Sequence, residues 1–287
     1  MRNFVKILLI LECVGLGDCI SSLPALSALT QEHSVTVYGR SFYKLLYERA
    51  GCSFIAAAGQ TQSEAFTRHF DKSYWLAEWS SIAESREGKT QGPRMEYFAG
   101  LIGATLPETF DYMEYLRPNK IDAEYYLLAG QSVETWRSLP VQKEKELFGL
   151  LDSVLPTKQL PRVYVYNNKV DGSDLNLQQL IDTVYNARQV VAVEGGILHL
   201  ARAMNVPSVG LYGMTGPEVM EQYRRYIPDL NHTPITGPAV PYKTGTCTQP
   251  CYRNFHNGFN GECGHKLQEP YCMTNISTTQ IMEAVNA

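Results

Sequence analysis

The stretch Val5-Lys6-Ile7-Leu8-Leu9-Ile10-Leu11-Glu12-Cys13-Val14-Gly15-Leu16-Gly17-Asp18 decides the fold. Residues 5–11 form a continuous apolar run with β-branched members, the pattern of a strand buried on both faces of a parallel sheet. Glu12 ends the run too early for the apolar region of a secretory leader, and no small-residue cleavage site follows. A glycine-bearing loop comes next. Ile20, Leu23, Leu26 and Leu29 then recur at three-residue steps and lay an apolar stripe along a helix, which Pro24 requires to start near Ser21 or to kink. Strand, glycine loop and helix in this order open a βαβ unit, whose ligand-binding loops lie at the carboxyl ends of its strands.

Working outward, residues 35–38, 54–58 and 74–76 read as further short strands, with helices over 43–49 and 94–101. Periodicity lapses at 118–123, and a second series follows: strands at 125–128, 163–166, 190–193 and 208–212, helices at 141–155, 177–187 and 197–204. The expected fold class is α/β, two Rossmann-like α/β/α domains with parallel sheets facing across a cleft, divided as residues 1–120 and 121–287. A chain of 287 residues with 44% hydrophobic and 19% charged residues suits two folded domains. The net charge of −4 argues against a surface dedicated to nucleic acid. No other segment approaches the roughly 18 apolar residues that span a bilayer. The expectation is a cytoplasmic protein, with peripheral membrane contact left open and the oligomeric state unassigned.

Two loops carry chemistry. In the first, Gly15 and Gly17 let a ligand approach the backbone, and Asp18 at the mouth of the helix supplies a carboxylate that could take a proton from a hydroxyl nucleophile. The competing reading of Asp18 is a helix cap. In the second, the strand 190–193 passes through Glu194, Gly195 and Gly196 straight into a helix, which aims free N–H groups and the positive end of the helix dipole at the cleft. A diphosphate fits there, with Glu194 on sugar hydroxyls and His199 in the first turns; the competing reading of His199 is a core histidine. Thr215, in the glycine-rich loop after residue 212, reads either as a phosphate contact or as a turn residue before Pro217.

Gly15-Leu16-Gly17-Asp18 followed by Leu23-Pro24-Ala25-Leu26 resembles the N-terminal signature of glycosyltransferase family 9, the heptosyltransferases of lipopolysaccharide core synthesis. Val193-Glu194-Gly195-Gly196-Ile197-Leu198-His199-Leu200-Ala201, with Pro207 through Gly213-Met214-Thr215, is similar to the family's donor-binding signature, and Cys272-Met273 with Ile276-Ser277 resembles its tail. The resemblance implies a GT-B fold and an inverting transfer from a nucleotide-diphosphate sugar (ADP-, UDP- or GDP-linked) with no catalytic metal or cofactor. Asp18 is then the general base. Glu194, Gly195, Gly196, His199 and Thr215 hold the donor, together with Ser132 and Arg137 of the loop that opens the second half. The implied acceptor is a glycan such as the lipopolysaccharide core, with a protein or a modified DNA base as other acceptors on this scaffold.

This chain departs from the family pattern in two places that matter. Glu194-Gly195-Gly196 stands where the family has Asp-Ser/Thr-Gly, and Gln131-Ser132-Val133-Glu134-Thr135-Trp136-Arg137 lacks the family's lysine before tryptophan, leaving Arg137, Arg40 or Lys243 to supply the phosphate-facing cation. Two rival readings stand beside the transferase: a nucleotide-sugar epimerase, another enzyme class on the same fold, and a catalytically inactive nucleotide-sugar-binding protein, which these departures motivate. Separately, Cys247, Cys251, Cys263 and Cys272 crowd a loop rich in Gly, Asn and His. In a reducing compartment that pattern favours a structural zinc or iron over disulfides, although free thiols and disulfides remain alternatives.

Overall fold

The computed structural model describes residues 4–11, 15–57, 66–75, 94–132, 137–160, 164–166, 169–171, 175–213, 216–238, 240–242, 245–247 and 271–287. Strands β1 (Lys6–Leu11), β2 (Ser34–Gly39), β3 (Ser53–Ala56) and β4 (Lys72–Trp75) form a four-stranded, all-parallel sheet in the order β3-β2-β1-β4. Strand β1 is central and buried on both faces: Ile7, Leu9 and Leu11 pack into one core, Leu8 and Ile10 into another with Tyr38. That two-sided burial is why its sequence is an unbroken apolar run.

The second half contains β5 (Tyr126–Ala129), β6 (Thr157–Gln159), β7 (Tyr164–Tyr166), β8 (Lys169–Asp171), β9 (Gln189–Val193), β10 (Ser208–Tyr212) and β11 (His232–Thr236). Five of them make a parallel sheet in the order β11-β10-β9-β5-β6. The expected strand at 163–166 is not in it: β7 pairs antiparallel with β8, and the polar segment Thr157–Gln159 takes the sheet edge instead. An edge strand needs no apolar run, and for the same reason β11 tolerates Pro234 at the opposite edge. Strands β12 (Val240–Tyr242) and β13 (Gly245–Cys247) form a second hairpin.

The helices are α1 (Leu16–Glu32), α2 (Lys44–Arg49), α3 (Arg94–Ile102), α4 (Tyr112–Leu116), α5 (Val141–Asp152), α6 (Leu177–Tyr185), α7 (Gly196–Ala203), α8 (Tyr271–Thr274) and α9 (Thr278–Asn286), with a 3-10 helix at Pro217–Arg225. Helix α1 starts at Leu16, ahead of Ser21, and continues through Pro24 with one backbone rung lost. Among the described residues no helix is long and apolar enough to cross a membrane.

The two halves share a core. One contiguous cluster runs from Ile7 and Leu9 of β1 through Ile20 and Leu23 of α1 to Leu198 and Ala201 of α7, and on to Leu127 and Val190 under the second sheet. Polar ties reinforce the join. Gln222 Nε2 donates to Ser21 Oγ at 2.9 Å while Gln222 Oε1 accepts the Met95 N–H at 2.9 Å, so the 3-10 helix holds both α1 and α3. Arg49 donates to the Leu116 carbonyl at 2.6 Å and to Gln178 Oε1 at 2.8 Å. At the C-terminus Lys143 donates to the carbonyls of Thr274 and Ile276, anchoring the α8–α9 junction on α5.

Candidate functional site

Helix α1 leaves the carboxyl end of β1 with Gly15 as its cap residue and Asp18 in its first turn. The Asp18 Oδ2 accepts the Gly15 N–H at 3.3 Å, and Oδ1 lies 3.7 Å from Arg94 Nη1 at the start of α3. The Asp18 side chain is 31% exposed, so the carboxylate steadies the turn and still faces solvent at the strand edge. Arg94 played no part in the sequence reading. It is remote in the chain, and only the α1–α3 packing brings it here.

On the other side, Glu194 follows β9 directly, with its N–H donating to the Leu211 carbonyl at 3.0 Å. Its Oε2 lies 2.9 Å from Arg137 Nη1; the Glu194 side chain is 9% and that of Arg137 23% exposed. Arg137 Nε is buried with no hydrogen-bond partner among the described residues. Arg137 is thus joined to the glycine loop through Glu194. Arg40 lies beside Tyr43 and Cys19 in the first half, and Lys243 falls outside the described residues. Ser132 sits in the same loop as Arg137 and donates its N–H to Ser138 Oγ at 2.9 Å.

The amino termini of α1 and α7 abut, and each presents a glycine to a side chain of the other. A methyl group on Gly17 would lie 2.5 Å from His199 Cδ2, and one on Gly196 would lie 2.7 Å from Leu16 Cβ. By contrast, the nearest atoms to a methyl on Gly15 or Gly195 are 3.9 Å away, Asp18 Oδ2 and the Val193 carbonyl respectively. One glycine in each loop is therefore pressed by the neighbouring helix, and the other has no described atom closer than 3.9 Å to the place of a methyl.

His199 is the side chain inside this crossing. It is 7% exposed, its Nδ1 is 2.8 Å from the Tyr223 hydroxyl, and its ring meets that of Tyr223 edge-on. Burial pushes its pKa down to about 3, against the opposing pull of nearby Asp18, so the imidazole is neutral. Thr215 lies outside the described residues. So do Cys251 and Cys263; Cys247 closes β13, and Cys272 is 6% exposed on α8. Among the described residues no group of three or more His, Cys, Asp or Glu side chains could hold a metal ion.

Two parallel α/β halves with facing glycine loops and a carboxylate opposite a helix amino terminus define the GT-B class of fold. Solved structures agree. Over all of this chain and 76% of the other, the fold matches the iron-containing dodecameric glycosyltransferase TibC from enterotoxigenic E. coli with a TM-score of 0.68 at 13% identity. It matches the E. coli heptosyltransferase WaaC, solved with ADP-2-deoxy-2-fluoro heptose, with a TM-score of 0.58 at 16% identity over 98% of this chain and all of that one. Residues 172–234 match the family model described as glycosyltransferase family 9 (heptosyltransferase). Lipopolysaccharide heptosyltransferase 1 of Pseudomonas aeruginosa is 28% identical over 113 residues, which is 39% of this chain and 30% of that protein. Over these residues the chain is similar to glycosyltransferase family 9, and the aligned part spans less than a third of that curated relative.

Proposed function

We propose that this protein is an inverting glycosyltransferase that moves a sugar from a nucleoside-diphosphate donor to a glycan hydroxyl. The observation that carries the reading is the juxtaposition at the α1–α7 crossing. A part-exposed carboxylate from the first half stands beside a helix amino terminus and an Arg137–Glu194 pair from the second. In the transfer, the acceptor oxygen attacks the anomeric carbon from the face opposite the diphosphate, and Asp18 takes its proton. The bond from the anomeric carbon to the diphosphate oxygen breaks, and the nucleoside diphosphate leaves carrying the charge. The free N–H groups at Gly195 and Gly196, the α7 dipole and the Arg137 guanidinium stabilise that developing charge, and Glu194 receives donor-sugar hydroxyls. Thr215 belongs to the same donor set. An ADP-linked sugar is the first donor to test, since WaaC was solved with an ADP-heptose analogue.

The test is a thermal-shift screen of ADP-, GDP-, UDP- and CMP-sugars, followed by an assay for nucleoside diphosphate released with a glycan acceptor. Acceptor-dependent release is expected. Asp18→Asn should lower kcat by about 10²-fold or more while leaving nucleotide affinity unchanged within about twofold. Conversion of the sugar nucleotide without any acceptor, or undiminished turnover in Asp18→Asn, overturns the proposal.

For the cysteines we propose an architectural metal held by Cys247, Cys251, Cys263 and Cys272, with TibC described as iron-containing. The fold gives this partial support. Gly237 lies directly against the Cys272 carbonyl, and the hairpin that ends at Cys247 starts shortly after it. Metal analysis of purified protein should find about one iron or zinc per chain, lost in Cys272→Ser; metal-free native protein refutes the site.

A further inference from the structure

Resting on the transferase reading, we infer that His199 is a positioning residue: from the donor-side helix it sets the first turn of α1, and through that turn the Asp18 carboxylate. The contact is direct. The His199 ring lies against the α-carbon of Gly17, the residue before Asp18, close enough that a methyl there would meet Cδ2 at 2.5 Å and Nε2 at 2.7 Å. The ring cannot swing away. Its Nδ1 is tied to the Tyr223 hydroxyl at 2.8 Å, and Tyr223 packs edge-on against it and tilted against Tyr112. Tyr223 belongs to the same 3-10 helix whose Gln222 bonds Ser21 of α1 and the Met95 N–H of α3. The segment that follows the donor-side loops thus braces both helices that surround Asp18: α1, which carries it, and α3, which brings Arg94 to it.

At 7% exposure the imidazole offers little surface to a bound phosphate. What it controls is the placement of Gly17 and so of Asp18. Displacing a catalytic group by about 1 Å can cost about 10²-fold in rate, which is the scale of effect expected from disturbing this contact.

The experiment compares Gly17→Ala, His199→Ala, the double variant and Tyr223→Phe. Each is read for kcat, donor KM, affinity for ADP by calorimetry, and hydrogen exchange at the Cys19 amide. That amide closes the first turn of α1 by bonding the Gly15 carbonyl at 3.1 Å. Gly17→Ala and His199→Ala should each lower kcat by roughly 10²-fold with ADP affinity changed by less than about threefold, and both should speed exchange at Cys19. In the double variant the new methyl occupies the space the ring has left, so kcat should recover about tenfold over Gly17→Ala alone. Tyr223→Phe keeps the ring packing and removes only the hydroxyl, so it should fold normally and show a smaller loss of the same kind. A loss of ADP affinity of more than about tenfold in His199→Ala, with Cys19 exchange unchanged, makes His199 a donor ligand and overturns the inference. If native protein turns over no sugar nucleotide, the transferase reading fails on its own, while the exchange data still decide whether His199 holds the turn.

Discussion

Lowering the pH from 7.5 to 5 should destabilise this protein by about 4 kcal/mol through two histidines alone. His199 and His232 both have pKa values pushed from 6.5 to about 3, mainly by burial. His232 is locked between Ser208 Oγ at 2.9 Å and the Tyr212 hydroxyl at 3.0 Å. In the unfolded chain each imidazole titrates near its ordinary value, so below pH 6.5 the unfolded state binds a proton that the native state refuses. The unfolded state then holds more protons, and stability falls as pH falls. It is fully present above 6.5 and is lost progressively toward 3. At pH 5 each group contributes a loss of roughly 1.5 pH units times 1.36 kcal/mol, about 2 kcal/mol. The Asp182 carboxyl, whose pKa its hydrogen bonds from Asn119 and Gln178 hold below 3.8, loses its contribution only at lower pH, outside this window. Urea unfolding at the two pH values should show the wild-type loss halved in His232→Gln and in His199→Gln, and nearly removed in the double variant. If both single variants lose as much stability as wild type, the histidines are not neutral in the native state and the reasoning is wrong.

The glycines separate by the same logic. Gly196→Ala places a methyl 2.7 Å from Leu16 Cβ and should cost about 1–3 kcal/mol in urea unfolding, whereas Gly15→Ala, with ordinary φ and no described atom closer than 3.9 Å to the new methyl, should unfold within about 1 kcal/mol of wild type while raising the acceptor KM. Arg137→Met should weaken nucleoside-diphosphate binding by about tenfold or more and also destabilise the fold by removing the ion pair to the buried Glu194 carboxylate. Adding Glu194→Gln should restore the urea midpoint but not the calorimetric affinity, and recovery of both would remove Arg137 from the phosphate site.

Those parts of the fold whose burial is two-sided were legible in the sequence. Strand β1 and residues 190–193 announce themselves as apolar runs because no face of either meets water. The edge strands of the second sheet were not legible: β6 is Thr-Lys-Gln and β11 contains Pro234, because one edge of each is unpaired in that sheet. Pro24 hid the true start of α1 at Leu16, since a proline inside a helix reads as its beginning. The candidate site divides in the same way. The types and order of Asp18, Glu194, Gly195 and Gly196 could be read from the chain, but their partners could not. Arg94 on Asp18, His199 on Gly17 and Tyr223 on His199 are contacts between segments far apart in sequence, and no local periodicity encodes them.

Packing alone accounts for one glycine of each pair. Two helices whose first turns touch need a missing side chain on each, and Gly17 and Gly196 meet that need for His199 and Leu16. Gly15 and Gly195, near the ends of β1 and β9, make no such close contact with the described residues. On the proposed reading a single glycine could serve the crossing or the ligand, but not both at once, so the doubled glycines follow from bringing two helix amino termini together at a diphosphate site. The same geometry explains why Asp18 belongs to α1 rather than to a free loop. If Asp18 is the base, as proposed, a helix pinned by the second half fixes its distance from the donor, and that distance is what an in-line displacement requires.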